Sequence, residues 1–404
     1  MNSYELVVIG AGPAGAATAI HAAHLGYSVA LIDAAEFPRD KTCGDGLTPR
    51  AMKELATLGL DVHLPYRSQG LALHGFGASV HCPWPAGTIG SALRRTSLDD
   101  LIFRTATALP GVDAITGSAV VSVNQDSYGR LESVTLANGS VISGTFFAVA
   151  DGVRSPVGKL LGRQWHREEV YGIAARAYCS TPKADEPWIH SHLELREPDG
   201  TLQPGYGWVF PLGADDGHAN VGCGALSTAA RPAKINTKKL LRHYAQQIDS
   251  TWHFGEPEHV ASALLPMGGA VSGVAGRNWI LLGDAAACVN PLNGEGIDYA
   301  LETARLGVDL LANLGTGDLR ILWPMTLREH YGAAFSLARK AAIMLTYPQL
   351  IRYGGPAVMR AGLMPIAARL MGNLVYEEDT DLIARLWRRA GQGSQYLSRS
   401  ALWN

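Results

Sequence analysis

Hydrophobic and polar residues alternate along this chain in two distinct ways. Short continuous apolar runs closed by glycine predict strands buried on both faces, and period-two stretches predict half-buried strands. Leu6–Ile9 is a run of the first kind. A glycine-rich turn, an alanine-rich helix to about Leu25 and a strand over Ser28–Asp33 follow it. Ala16, Ala17, Ala19, Ala22 and Ala23 let that helix lie close to a sheet. Gly144–Ala150 with Asp151-Gly152, and Trp279–Leu282 with Gly283-Asp284, repeat the strand-then-turn pattern, and a helix starts near Gly296. Together these blocks predict an α/β framework.

Between the blocks, Leu71–His74, Ser79–Trp84, Glu169–Ser180, Ile189–Leu195, Tyr206–Pro211 and Ala219–Ala225 read as strands. They predict a mixed or antiparallel sheet inserted twice into the first unit. From about Ile321 the pattern is helical to the end.

Composition narrows the classes. Of 404 residues, 47% are apolar and 17% charged, which excludes disorder, collagen-like repeats and coiled coil. The formal charge of −2 gives no global basic field, so nucleic acid is not an expected partner. Glycine at 46 residues is about 11%, where roughly 7% is usual, and calls for tight turns or close approach of backbone to a ligand. The five cysteines (Cys43, Cys82, Cys179, Cys223, Cys288) are scattered without zinc spacing, so neither a disulfide framework nor a metal is expected. The thirteen histidines show no ligand spacing either. With no cationic leader and no run of about 18 apolar residues, neither a signal peptide nor a spanning helix is expected, and the reducing cytoplasm is the default address.

Gly10-x-Gly12-x-x-Gly15 follows a strand, opens a helix and precedes Asp33 at the end of the next strand. In that context the motif is a dinucleotide fingerprint: the glycines let a pyrophosphate reach the helix N-terminus, and Asp33 would accept a ribose hydroxyl. Asp284 and the amides of Gly296 and Ile297, after Pro291-Leu292-Asn293-Gly294-Glu295, suit the ribityl chain and the N1/O2 edge of a flavin. Asp151 would face the first glycine loop. The cofactor read from these motifs is FAD.

The motifs Gly10–Gly15, Asp151-Gly152 and Gly283-Asp284, in this order, resemble the para-hydroxybenzoate hydroxylase superfamily of flavoproteins. Within it, Lys41-Thr42-Cys43-Gly44-Asp45-Gly46 and Tyr206-Gly207-Trp208-Val209-Phe210-Pro211 resemble the geranylgeranyl reductase family, which saturates isoprenoid double bonds. The likeness spans nearly the whole chain. In Cys43–Arg50, Pro204–Gly213, Leu265–Gly276 and Gly283–Leu301 it is strongest to actinobacterial menaquinone reductases, membrane-associated enzymes that hydrogenate one double bond of the menaquinone side chain.

The resemblance implies that Gly12, Pro13, Ala14, Gly15 and Ala16 hold the pyrophosphate, and that Cys43, Gly44, Asp45 and Gly46 pass beside the isoalloxazine. It implies that Arg95 meets FAD from a helix start, and that Asp284, Gly296 and Ile297 contact the flavin. The chain departs from the family's P-x-x-Y-x-W-x-F-P pattern, because Pro204 precedes Tyr206 by only two positions. The implied architecture is a discontinuous FAD-binding unit (1–70, 95–165, 262–315), a substrate-facing β-sheet unit (71–94, 166–261) and a helical C-terminal region (316–404).

An isolated alkene has no carbonyl to polarise it, so hydride transfer needs a concerted proton and a group that stabilises positive charge at the tertiary carbon. Tyr206 and Trp208 are the aromatic candidates. Cys43 is the candidate proton donor or relay, with Tyr206 the alternative, although a thiol is a weak acid for this task. Plainer readings stand beside these. Cys43 fits as a small residue in a tight loop, Tyr206 and Trp208 as core aromatics, and Arg95 as a surface partner of Asp99 or Asp100.

From His330 to Tyr376 the chain has five basic residues (Arg339, Lys340, Arg352, Arg360, Arg369), no carboxylate, and four of its eight methionines (Met344, Met359, Met364, Met371). Thioethers suit a prenyl chain, and a basic apolar face suits the cytoplasmic surface of the membrane. The alternative is a helical cap that buries those methionines. Competing activities are reduction of geranylgeranyl lipids or geranylgeranyl diphosphate, and aromatic hydroxylation. No second glycine-rich unit for a nicotinamide is visible, so a transient donor, NADH or NADPH among the options, is expected.

Overall fold

The computed structural model describes residues 2–60, 64–372, 375, 379–396 and 402–403. Positions 373–374, 376–378, 397–401 and 404 of the expected helical region, Tyr376 among them, lie outside the described residues. The framework is a seven-stranded sheet in which Val112–Ile115, Val29–Ile32, Asn2–Ile9 and Val141–Val149 lie parallel in that order. The last of these changes partner along its length. Its first half pairs antiparallel with Leu131–Leu136, and Phe147–Val149 pair parallel with Trp279–Leu281. Buried Asn278 holds this fork together: its Nδ2 donates to the carbonyls of Leu131 and Thr145, both at 2.8 Å, and its Oδ1 accepts from the Leu131 amide at 2.8 Å. The alanine-rich helix Pro13–His24 covers the sheet, with Ala16, Ala17 and Ala19 fully buried.

The second sheet is also seven-stranded, in the order Glu258–Pro266, Tyr171–Ser180, His218–Ser227, Gly205–Pro211, Trp188–His192, Gly70–Gly75 and Ala78–Pro83. It is antiparallel throughout except where Trp188–His192 runs parallel to Gly70–Gly75. The six strands expected from period-two patterning are all in it. Two elements were not anticipated. Glu258–Pro266 is an edge strand that is only exposed or half-buried up to Leu265, and helix Thr237–Trp252 packs Leu240, Leu241 and Tyr244 on the sheet's far face. The hairpin Val120–Gln125/Leu131–Leu136 was also missed; its first strand is largely solvent-facing, so its apolar signal is weak. Helices from Leu319–Leu327 to Leu382–Tyr396 form the C-terminal region.

The sheet face under helix Thr237–Trp252 carries a histidine cluster. His74 Nε2 lies 2.9 Å from His190 Nδ1, His192 Nδ1 lies 2.6 Å from the Tyr244 hydroxyl, and Trp252 stands edge-on to His190. Burial, then the neighbouring His74 imidazole, pushes His190 down to about 3 and His192 to about 4, against about 6.5 in an unfolded chain. The unfolded chain therefore gains protons here as pH falls through about 6.5 while the folded chain does not, so stability is full above that range and drains below it. Thermal melting is expected to show Tm falling from about pH 7 to pH 4, with a shallower fall in a His190→Asn/His192→Asn variant.

Candidate active site

Three strand ends meet at one edge of the first sheet. The Ala150 amide donates to the Ile9 carbonyl at 2.7 Å, and the Leu282 amide to the Val149 carbonyl at 2.9 Å. The turns beginning at Gly10, Asp151 and Gly283 are thereby brought side by side. Gly10 has φ +96°, and a Cβ there would lie 2.3 Å from the Ala150 carbonyl oxygen. A Cβ on Gly15 would lie 1.7 Å from the Gly10 carbonyl oxygen. Gly15 and buried Ala16 therefore serve the close packing of this turn and are absent from the cavity wall.

Gly12 caps helix Pro13–His24 without any side-chain acceptor, and a Cβ there would meet only the Arg39 guanidinium, at 3.1 Å. The first-turn amides thus open onto a cavity, a cradle for an anion. Asp33 accepts from the amides of Ala11 at 2.7 Å and Ala35 at 2.9 Å, so one of its tasks is to hold the glycine loop. Arg39, which patterning did not flag, ion-pairs Asp99 at 3.1 Å and lines the cavity with Asp33.

At the far side, Asp284 ion-pairs Lys41 at 2.8 Å. Burial by itself would raise its carboxyl, but Lys41, Arg95 and Arg163 hold it below the usual carboxylate range. Gly296 caps helix Ile297–Ala312, again with no side-chain acceptor, and a Cβ on it would lie 3.2 Å from Asp284 Oδ1. A second open helix N-terminus therefore faces the same space beside an ionised carboxylate. Asp151 is otherwise engaged: its carboxylate accepts from the Ser155 hydroxyl at 2.6 Å and the Val157 amide at 2.8 Å, while burial raises its pKa.

The loop Cys43–Gly46 crosses between these ends. Asp45 is fully buried with φ +63°, and its Oδ2 accepts from Tyr178 at 2.7 Å and Asn220 at 2.9 Å. Burial raises its pKa to about 6 despite those two donors. Asn220 also donates to the Cys43 carbonyl at 2.9 Å and accepts from the Trp208 indole at 3.0 Å. One amide thus ties the loop to the aromatic strand. The indole rests on Gly222, where a Cβ would come within 2.1 Å of the ring. Tyr206 lies 5.9 Å from Trp208 and Phe210 6.0 Å from it, centroid to centroid, so three rings line one face of Gly205–Pro211. Arg95 opens helix Arg95–Thr107 as anticipated and reaches the cavity, but its guanidinium is bidentate to buried Asp99, at 2.6 and 2.8 Å.

The three turns, the two helix caps, the Cys43–Gly46 loop and the ring-bearing strand border one cavity of about 850 Å³. At one end its wall is Gly10, Gly12, Pro13, Ala14, Asp33 and Asp151; midway come Cys43, Gly44, Asp45, Gly46, Arg95, Asp284, Gly296 and Ile297. Beyond Tyr206 and Trp208 the lining turns apolar, with Leu71, Leu73, Val358, Met359, Met364 and Met371. Two uncapped helix ends with Arg39 and Lys41 beside them fit FAD laid along the polar part. Asn220, Gly222 and Arg39 carried no motif; only the pairing of their strands and loops brings them here. Lys41 lay inside a quoted motif, but its partner Asp284 is 243 positions away.

The five basic residues of the C-terminal window do not form one exposed face. Arg339 is buried against the Gly268 carbonyl, and Arg369 pairs with Asp379 and Asp381, both at 2.7 Å. Among the described residues no helix is long and apolar enough to cross a membrane.

Comparison with known proteins agrees with this geometry. The family described as FAD binding domain matches residues 3–322. A menaquinone reductase of Mycolicibacterium smegmatis is 53% identical over 98% of each chain, and one of Mycobacterium tuberculosis is 52% identical over 98% of each. A geranylgeranyl bacteriochlorophyll reductase-like protein of Thermoplasma acidophilum shares the fold, with TM-score 0.76 at 18% identity over 96% of this chain and 99% of its own. The chain belongs to the FAD binding domain family and, within that, to the same family as these menaquinone reductases.

Proposed function

We propose that this protein is an FAD-dependent menaquinone reductase that saturates one double bond of the isoprenoid side chain. The observation that carries the reading is the single cavity that runs from the FAD framework into an apolar, methionine-lined end. Its relatives at 52 and 53% identity support the choice of menaquinone over geranylgeranyl lipids. Because Gly70–Gly75 and Glu258–Pro266 both lie in the second sheet, two expected bounds shift: 1–69, 95–165 and 267–315 are the cofactor unit, 70–94 and 166–266 the substrate unit, and the helices from Leu319 onward its cover.

Reduced FAD supplies hydride. Gly10, Gly12, Pro13 and Ala14 hold the pyrophosphate, with Gly15 and Ala16 giving the turn its closeness. Asp33 serves the ribose, Asp284, Gly296 and Ile297 the flavin end, and Asp151 and Arg95 border the space between. Cys43 and Tyr206 flank the reacting bond, and Trp208 offers a ring face to the positive charge that grows at the tertiary carbon. Tyr206 donates its hydroxyl hydrogen to the Asn293 carbonyl, and burial, then Glu295, raises its pKa, so the ring stays neutral. The electron donor is a transient partner, with NADH or NADPH one option.

The cavity mouth faces the cytoplasmic membrane surface. Leu350 lines the cavity yet is 44% exposed, and Met344 (52%), Tyr353 (73%) and Leu363 (49%) of the same helical region are exposed apolar side chains, with Arg352 and Arg360 exposed among them. A peripheral contact there would pass a prenyl tail from lipid to cavity without exposing it to water.

Three outcomes are expected. Anaerobic enzyme reduced with dithionite and given menaquinone yields, after the quinone ring is reoxidised in air, a product still heavier by one molecule of hydrogen, read by mass spectrometry. Gly222→Ala displaces Trp208 and lowers single-turnover rate at least about tenfold, or ~1.4 kcal/mol, with FAD content unchanged. Protein floats with vesicles containing anionic lipid at low salt, and a Tyr353→Ser/Leu363→Ser variant stays with the soluble fraction.

A further inference from the structure

We infer that Glu295 is the acid that protonates the alkene, an assignment that rests on the reductase reading above. The residue sits one position before Gly296, the cap of helix Ile297–Ala312, on the cavity wall between the Cys43–Thr48 segment and Tyr206. Its carboxyl accepts from the Thr48 hydroxyl and, at 3.5 Å, from the Asn293 side-chain amide, and the residue lines the cavity. The other donors there are committed or weak. Tyr206 gives its hydrogen to the Asn293 carbonyl, and Cys43 Sγ accepts from the Asp45 amide at 3.4 Å.

Glu295 also keeps its proton near neutral pH. Burial and then the negative charge of Asp298 raise its pKa, against the Thr48 hydrogen bond, the Arg50 charge and the Asn293 amide. Burial raises Asp298 too, to about 6, against the pull of the Arg50 guanidinium 3.0 Å away. Glu302 joins the same cluster through Arg50, at 2.8 Å, and burial keeps the neighbouring Tyr206 and Tyr299 neutral. A carboxylic acid that keeps its proton near neutral pH is a stronger donor than a phenol and suits general-acid work.

The step balances. One alkene carbon takes the proton from Glu295 as the other takes hydride from reduced FAD; the π bond breaks, two C–H bonds form, FAD is oxidised, and water reprotonates the carboxylate.

The test uses holoenzyme reduced anaerobically with dithionite and mixed with menaquinone in phosphatidylcholine vesicles. Glu295→Gln should bind and reduce FAD normally but form saturated product at least about 100-fold more slowly, with Glu295→Asp partly restoring the rate. The infrared spectrum of wild type at neutral pH should hold a protonated-carboxyl band that Glu295→Gln lacks. Wild-type single-turnover rate should fall on the alkaline side of neutrality, and Cys43→Ser should keep that limb, a measurement that stands even if Glu295→Gln does not fold. Product formation by Glu295→Gln within about fivefold of wild type, absence of the infrared band, or a rate flat with pH each overturns the assignment. Failure of wild type to form product would instead overturn the reductase reading.

Discussion

The amides of Ala150 and Leu282 bond to the carbonyls of Ile9 and Val149, and the site depends on that alignment of three strand ends. Glycine at position 10 makes it possible, because any side chain would enter the Ala150 carbonyl. Once the ends are level, the Gly10 turn, the Asp151 turn and the Gly283 turn share one edge of the sheet. Two helix N-termini, at Gly12 and Gly296, then open onto the same space without a side chain to satisfy them. A parallel sheet offers such an edge wherever its strand order allows, and here Asn278 fixes that order by holding the forked strand Val141–Val149 to both of its partners.

The second sheet contributes a wall rather than a turn. Alternation along Gly205–Pro211 sends Tyr206, Trp208 and Phe210 to the cavity and Val209 to the core under helix Thr237–Trp252. Trp208 can lie flat only because its neighbour across the ladder is Gly222, and Asn220 couples its indole to the Cys43–Gly46 loop. Charge is arranged with similar economy. Arg95 with Asp99, Lys41 with Asp284, and Arg50 with Asp298 are buried or half-buried pairs, so the polar end of the cavity is lined by groups whose charges are already balanced.

The C-terminal helices show where reading by composition falls short. A window rich in arginine and methionine suggested a basic face with soft apolar side chains. Folding divides it: Arg339 turns inward to a carbonyl, Arg369 finds two aspartates ten and twelve positions on, and Met359 and Met364 are buried at the cavity. What is left at the surface is chiefly apolar, with Met344 and Tyr353 its most exposed members.

Local sequence determined the strand–glycine–helix blocks, the period-two strands of the second sheet and FAD as cofactor, since each rests on spacing within a few tens of residues. Tertiary structure alone decided which acids remain ionised, which arginines reach the cavity, and that Asn220, Gly222 and Glu295 belong to the site. Lys41 and Asp284 are 243 positions apart, and Thr48 and Glu295 are 247 apart. Their meeting follows from strand order and register, and burial then sets their protonation, because desolvation acts through the whole surrounding protein and not through neighbours in the chain.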